Sequence, residues 1–444
     1  MSKAFWGLLG VLVLGTAGFA DMVYVDASSP YDPGSGTYAE PFLRIQEGLD
    51  AAGSGDTVVV RVGVYEGTGN RDLTPVTGGV TVTCEDPNDP AVIASTVIDP
   101  NGMGRAFMIS SGGVSPFFVI GLTMRDGATS GSGGAIFCEN NEMTLQDCRV
   151  EGSEAGLYGG GVYCRGGVVD MVRCVIRGNV AGDGGGVACE EGRVELLQSV
   201  LAGNHAIVHG GAIDGYGVGD VSLRNCTLAG NTADTGGCVC LRGSDMFVGN
   251  SIFWSNEANL ADEMAALYLE SSGTGSMVEI AYSSVGMGDP NISVDPGCTV
   301  ELLEGVVNVD PLFASFVQGG DSAGWDLHLR SEAGRWGGVA VGWVKDGESS
   351  ACLDLGDPAD GVWQEPWPYG GRVNLGAYGG TLEASKSGNV ADLNMDKRVD
   401  LGDLAILSLV WLGESPTGQN LAGDGRLDQR DFAVVLENWL WQAP

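Results

Sequence analysis

The chain has 444 residues, of which 57 are Asp or Glu and 22 are Lys or Arg, giving a formal charge of −35. So acidic a surface excludes nucleic acid and anionic membrane as partners, and an acidic polysaccharide would need a bridging divalent cation. Gly accounts for 74 residues, more than twice the usual share of about 7%, which favours a turn-rich repeat domain joined to a smaller module.

Residues 1–20 read as a signal peptide. Lys3 supplies the positive end, residues 4–16 are apolar, and the small residues Gly18 and Ala20 precede Asp21. The apolar run is shorter than the roughly 20 residues a bilayer span requires, and no later stretch spans one. The expected location is secreted, either extracellular or at the cell surface. Residues 21–55 then predict an N-terminal strand at Tyr24-Val25-Asp26 and a capping helix over 42–52, with Phe42, Ile45, Leu49 and Ala52 on one face.

Residues 56–382 contain an internal repeat. Cys148, Cys174, Ser199, Cys226 and Ser251 open matching segments. Two places on stand Val150, Ile176, Leu201, Leu228 and Phe253, with Met124 one period earlier. The steps are 26, 26, 25, 27 and 25 residues, and a Gly-rich turn recurs in phase before short runs such as AIFC, VYC, VAC and AID. No ordinary helix fits inside such a period, so each unit is short strands and turns, wound into coils that stack about 4.8 Å apart. The apolar residues then form one inward ladder, and Asn179, Asn204, Asn231 and Asn256 line up at one turn. Ala202, next to Leu201, is expected to face outward. This pattern resembles the right-handed parallel β-helix family. Pro41–Gln46, Gly55–Val60, Val309–Phe313, Asp326–Leu329 and Val373–Gly380 extend the resemblance over roughly residues 22–382. The resemblance implies an all-β solenoid whose N-terminal helix plugs the core and whose last segments close it.

After a linker at 383–390, residues 391–444 repeat a loop-helix unit at a step of 28. A twelve-residue loop can supply Ca²⁺ with oxygens from alternate positions and one backbone carbonyl. The first loop offers Asp392, Asn394, Asp396, Asp400 and Asp403 with the Arg398 carbonyl. The second offers Asn420, Asp424, Asp428 and Asp431 with the Arg426 carbonyl. These residues resemble dockerin type I, a small all-α, EF-hand-like module that binds Ca²⁺ and a cohesin-type partner. The resemblance places partner contacts at Leu401, Gly402, Gln429 and Arg430. Lys397 stands where Gly is usual, and Ala422 removes one ligand, so the first site is expected to be the tighter.

For the solenoid three readings stand. The first is a polysaccharide-binding or surface-display component, tethered by the calcium module to a cohesin-like protein or cell-surface scaffold. The second is a polysaccharide lyase or glycoside hydrolase of the pectate lyase or polygalacturonase type. The third is a purely structural envelope or matrix protein. No Lys lies between residues 4 and 344, which removes a Lys base from the coils. Arg125, Glu151 and Arg177 read as a paired, solvated ladder, as do Asp147 and Arg173. Asp183 and His209 match two pieces of a polygalacturonase signature whose other pieces are absent, and His205, His209 and Asp214 lie within ten residues. These absences favour the first, non-catalytic reading, with Trp363, Trp367 and Tyr369 as glycan-stacking candidates. The eleven Cys are expected to be buried thiols, because in-register side chains on parallel strands rarely reach disulfide geometry.

Overall fold

The computed structural model describes residues 21–110, 115–259, 267–270, 275–286, 292–388, 391–394, 398–409, 421 and 429–439; the proposed signal peptide lies outside them. From Met22 the chain winds into an all-β parallel β-helix of the right-handed type, about 9 turns long. A typical coil has four short strands, such as Ile136–Glu139, Glu142–Gln146, Arg149–Glu151 and Glu154–Ala155. Each pairs in parallel with its equivalent one coil on, building four faces of eight, eleven, nine and six strands among the described residues.

The inward ladder falls where the periodicity places it. Met124, Val150, Ile176, Leu201, Leu228 and Phe253 are register partners from coil to coil, and all are buried. Two corners keep the coils in step. After the second face, Asp147, Arg173, Gln198, Asn225 and Asn250 turn with φ between 48 and 53°, a left-handed conformation that Asn and Asp tolerate best. The next residue is Cys or Ser and points inward. Ser199 Oγ accepts the Cys174 N–H at 3.1 Å, and Ser251 Oγ accepts that of Cys226 at 3.0 Å. After the third face, Gly152, Gly178, Gly203 and Gly230 make the left-handed turn and the Asn ladder follows. Asn179 Nδ2 donates to Asn204 Oδ1 at 3.0 Å, Asn204 to Asn231 at 3.0 Å, and Asn231 to Asn256 at 2.9 Å. All eleven Cys are free, and only Cys298 is not buried.

Two local expectations change. The capping helix spans Ile45–Ala51 instead of 42–52. Phe42 is drawn into a bridge with Val25, and Arg44 becomes the N-cap, its N–H donating to Glu47 Oε2 at 3.1 Å. Ala202 does face away from the ladder, but it is buried. The later segments lie along the outer side of the third face, so that Ala202, Ala229 and Ile252 pack with Phe313, Leu327 and Leu375 in a second core. Phe313–Ser315 and Asp326–Leu329 pair antiparallel there, and the Ala377 N–H donates to Thr227 Oγ1 at 3.0 Å.

Replacing Asn204 by Ala strands the buried Asn179 N–H and removes one partner each from the Asn179 amide, the Ile176 carbonyl and the Asn231 amide oxygen. At about 1–3 kcal/mol for a buried group left unpaired, the loss expected in denaturant unfolding is about 2 kcal/mol. Asn259→Ala, at an exposed turn, should stay within about 0.5 kcal/mol; equal losses would show that the ladder is not what holds this corner.

Candidate active site

One corner of the solenoid departs from the regular winding. Tyr158, Asp183, His209 and Thr235 stand in one row across four coils: Tyr158 bridges Asp183, Asp183 pairs with His209, and His209 bridges Thr235. The flanking coils each carry an extra residue on the approach. Two residues, Ile207 and Val208, separate Ala206 from His209 where Gly182 alone separates Ala181 from Asp183. On the other side, three residues separate Glu154 from Tyr158 where two separate Val180 from Asp183. A bulge of this kind re-aims the side chain that follows it. It also pushes Leu157, Ile207 and Val208 outward, where they are 53%, 58% and 42% exposed. Beside this corner, the outward positions of the first face add two rows: Tyr163, Ala188, Asp214 and Cys240, then Arg165, Glu190, Tyr216 and Arg242.

The side chains of these rows hold one another. Asp183 Oδ1 lies 2.9 Å from His209 Nδ1 and accepts the His209 backbone N–H at 3.2 Å. Arg242 Nη2 donates to Asp183 Oδ2 at 3.3 Å and to Asp214 Oδ2 at 2.6 Å. Asp214 is fully buried, and its Oδ1 makes no hydrogen bond among the described residues. Burial therefore pushes its carboxyl up to about 6, against the pull of Arg242. Partial burial also works to raise Asp183, but the His209 hydrogen bond and the Arg242 charge outweigh it and hold the group below the usual carboxylate range. The Asp183 hydrogen bond in turn raises His209 above the ordinary imidazole value. One row over, Glu190 takes the Tyr216 hydroxyl on Oε1 at 2.7 Å and the Tyr163 hydroxyl on Oε2. Arg165 Nε stands 3.5 Å from its carboxylate. Tyr158 stacks on Tyr163 with ring centres 6.0 Å apart and lies 5.7 Å from Tyr216. The result is an oriented imidazole whose hold on a proton is strengthened by Asp183, a second carboxylate set by two phenols, and three tyrosine rings around them.

The structure thus joins Asp183, His209 and Asp214, but not His205, whose Nδ1 is 2.9 Å from the Thr232 hydroxyl. Arg242, Glu190, Tyr158, Tyr163 and Tyr216 escaped the sequence reading. Their only signal was polar or aromatic character beside the Gly-rich turns, Tyr158 just before one and the others just after. The arginine ladder is paired as expected: Arg125 meets Asp99 at 3.0 Å, Arg173 meets Asp147 at 2.7 Å and Arg177 meets Glu151 at 2.8 Å. Arg149, Glu151, Arg177, Trp325 and Tyr378 line a cleft of about 140 Å³ between the third face and the segments covering it.

In the C-terminal half of the chain, Trp363 is 50% exposed. Trp367 instead packs against the small core of Ala391, Leu393, Val399, Leu407 and Val435, with Tyr369 edge-on to it at 5.6 Å. Helices Leu401–Leu409 and Gln429–Glu437 follow the two proposed loops. Asp392, Asp403 and Asp431 are buried. Asp403 Oδ1 accepts the Leu393 and Asn394 N–H groups at 2.6 and 3.1 Å, and Oδ2 accepts that of Asp400 at 2.8 Å, folding the loop back on the helix start. Asn394, Arg398 and Asp400 are in the described part, Leu401 is exposed, Gly402 is half-buried, and Gln429 and Arg430 are exposed. Asp396, Asn420, Asp424, Arg426 and Asp428 lie outside the described residues. Among the described residues no group of three or more His, Cys, Asp or Glu is arranged to hold a metal ion.

No protein-family model matches this chain, and no curated relative matches it. Among solved structures it is similar to the pectate lyase Pel9A, at 12% identity and a TM-score of 0.39, over 80% of this chain and 95% of that one. It is also similar to a rhamnogalacturonan lyase, at 14% and 0.37, over 68% and 92%. A third similarity is to the GH136 lacto-N-biosidase from Eubacterium ramulus, at 10% and 0.33, over 65% and 68%.

The buried Asp214 makes a pH prediction. Its folded value of about 6 is above the unfolded value of about 3.9, so the folded state holds the proton longer, and this group's contribution to stability falls as pH rises from about 4 to about 6. Asp214→Asn should therefore gain on the wild type by about 2 kcal/mol between pH 4 and pH 7 in denaturant unfolding. A constant difference across that range would show that Asp214 ionises normally.

Proposed function

We propose that this protein cleaves glycosidic bonds at the corner built by Asp183, His209, Glu190 and Arg242, the second of the readings drawn from the sequence. One observation carries the proposal: His209 is gripped through Nδ1 by an ionised Asp183, which is itself fixed by an Arg242–Asp214 pair. A turn that is merely decorated with polar residues has no need of a buried carboxylic acid behind its histidine. The oriented imidazole is the proton-transfer group, and its Nε2 is the nitrogen left for exchange. The tyrosine rings offer flat apolar faces with polar tips, which suit pyranose rings. Proton transfer of this kind is worth roughly 10²–10⁴-fold. On a panel of polyuronides and neutral glycans, His209→Ala and Asp183→Ala should lose at least about 100-fold in release of new chain ends, while His205→Ala stays at wild-type level. Wild-type rates in all three variants would remove the corner from the chemistry and return the protein to a binding role.

We further propose that residues 391–444 form a dockerin-like calcium module which tethers the secreted enzyme to a cohesin-like partner or cell-surface scaffold. Three buried carboxylates, Asp392, Asp403 and Asp431, stand at the ligand positions of the two loops, and their hard oxygens are the donors Ca²⁺ prefers. Asp392 and Asn394 with Asp400 would hold the ion in the first loop, and Leu401, Gly402, Gln429 and Arg430 would meet the partner. Binding Ca²⁺ at a hundredfold excess over Kd stabilises the folded module by about 2.7 kcal/mol. Calorimetric titration of the full chain should show that Asp392→Ala abolishes the tighter site and Asp424→Ala only the weaker. The reverse order, or no heat in either loop, would refute the assignment.

A further inference from the structure

We infer that the corner site hydrolyses a neutral glycan and does not eliminate across a uronide; this rests on the reading of that corner as the catalytic site. β-Elimination draws a proton from the carbon beside a carboxylate, so the enzyme must neutralise that carboxylate with a free cation or a metal. The cations of this corner are already engaged. Arg242 is shared between Asp214 and Asp183. Arg165 lies between Glu139 at 3.4 Å and Glu190 at 3.5 Å. Against Arg165, Arg242 and His209 stand Asp183, Glu190, Asp214 and Glu139, so an incoming uronate would meet a surface with no net positive charge. On the third face Arg125 and Arg177 each hold a carboxylate, and Arg149 faces the separate cleft beneath the covering segments.

A neutral sugar suits what is left. Tyr158, Tyr163 and Tyr216 cluster through ring contacts, and Leu157, Ile207 and Val208 form an exposed apolar lip beside them. The apolar lip and the half-buried Tyr158 and Tyr216 rings, backed by the buried Tyr163, give the C–H faces of an uncharged pyranose something to cover. Ala188 sits between Tyr163 and Asp214 in the outward row, and its small side chain leaves the row open at that point. In the reaction, protonated His209 gives its Nε2 proton to the glycosidic oxygen as the bond from that oxygen to the anomeric carbon breaks. Glu190 takes a proton from water as the water oxygen bonds to the anomeric carbon. The products are two hydroxyl-terminated sugars. His209 and Glu190 return to their starting states by exchange with solvent, and no oxidant or other co-reactant is consumed.

The test uses the full chain on two sets of glycans, neutral (xylan, galactan, mannan and β-glucan) and acidic (polygalacturonate, rhamnogalacturonan and alginate). It follows both reducing ends and the ultraviolet absorbance of unsaturated uronides. The expected result is reducing ends from a neutral glycan without unsaturated product, with one ¹⁸O from labelled water in the new reducing end. Glu190→Gln and His209→Ala should each cut the rate at least a hundredfold, with Tm unchanged to show that both variants fold. Unsaturated uronide product that disappears in His209→Ala would overturn the neutral-hydrolase inference while leaving the corner as the active site. Product of either kind that survives in both variants would overturn the corner itself, and so would an inactive wild type on every glycan.

Discussion

Every coil of this protein gives its backbone N–H and C=O groups to the coils on either side, in register, over most of its length. That pairing sets where the chain can vary. An extra residue inside a strand would turn every later side chain from core to solvent, so the period of 25–27 residues is adjusted only at corners. The corner before the first face absorbs one residue beside Tyr158 and one beside His209. Because the Asp183 coil between them is the shorter, the two extended coils rise on either side of it, and Asp183 lies between Tyr158 and His209. The same rule that keeps the core continuous therefore confines side-chain invention to a few places along the solenoid. One of them has gathered an acid, an imidazole and a guanidinium.

The polar ladders explain how a β-helix with so little variation in its core still holds one register. Buried amides and hydroxyls must find partners or cost about 1–3 kcal/mol each. The Asn ladder finds them only when each Asn is one coil above the last, because its oxygen takes the N–H of the coil before and its amide reaches back to a carbonyl there. Either Cys or Ser can stand at the other corner because both are small enough to turn inward after a left-handed residue. The hydroxyls cap a neighbouring N–H, and the thiols fill the same space as small apolar groups. This is how Cys148, Cys174 and Cys226 fit that corner as free, buried thiols. They serve as packing.

Much of this was legible in the sequence, because a period of 25–27 residues writes each ladder out in full. The apolar stack and the Asn turn followed from phase alone, and ten of the eleven cysteines are the buried thiols that disulfide geometry led one to expect. The site was half legible. Asp183, His209 and Asp214 stood out as residue types, yet nothing along the chain says that Arg242, 59 residues after Asp183, returns to the same corner two coils later. Phase also misled at Ala202, which does point away from the coil core, since periodicity cannot register that the segments after Val309 fold back along the third face and bury it. The start of the capping helix slipped for a similar reason. Phe42 keeps helical spacing with Ile45 and Leu49, but the first coil needed it as a bridge to Val25.

A buried carboxylic acid is an expensive feature unless its charge is managed, and Asp214 shows how the site manages it. With both carboxylates ionised and Arg242 charged, a neutral His209 leaves the group one negative charge in excess. As pH falls, His209 is the first to gain a proton, because Asp183 has lifted it, and the four groups then balance. Asp214 follows at about 6, after which the group is positive. The charge of the cluster is thus zero between the two titrations, bounded above by the histidine and below by the buried acid. Within that window the imidazolium balances the single negative charge left by Asp183, Arg242 and Asp214 behind it. Shifting Asp214 toward an ordinary carboxylate value would widen the window on the acid side, whereas removing Asp183 would lower His209 and narrow it from above. The two aspartates therefore have different tasks although they share one guanidinium: Asp183 sets when the histidine is charged, and Asp214 sets how far that charge is offset.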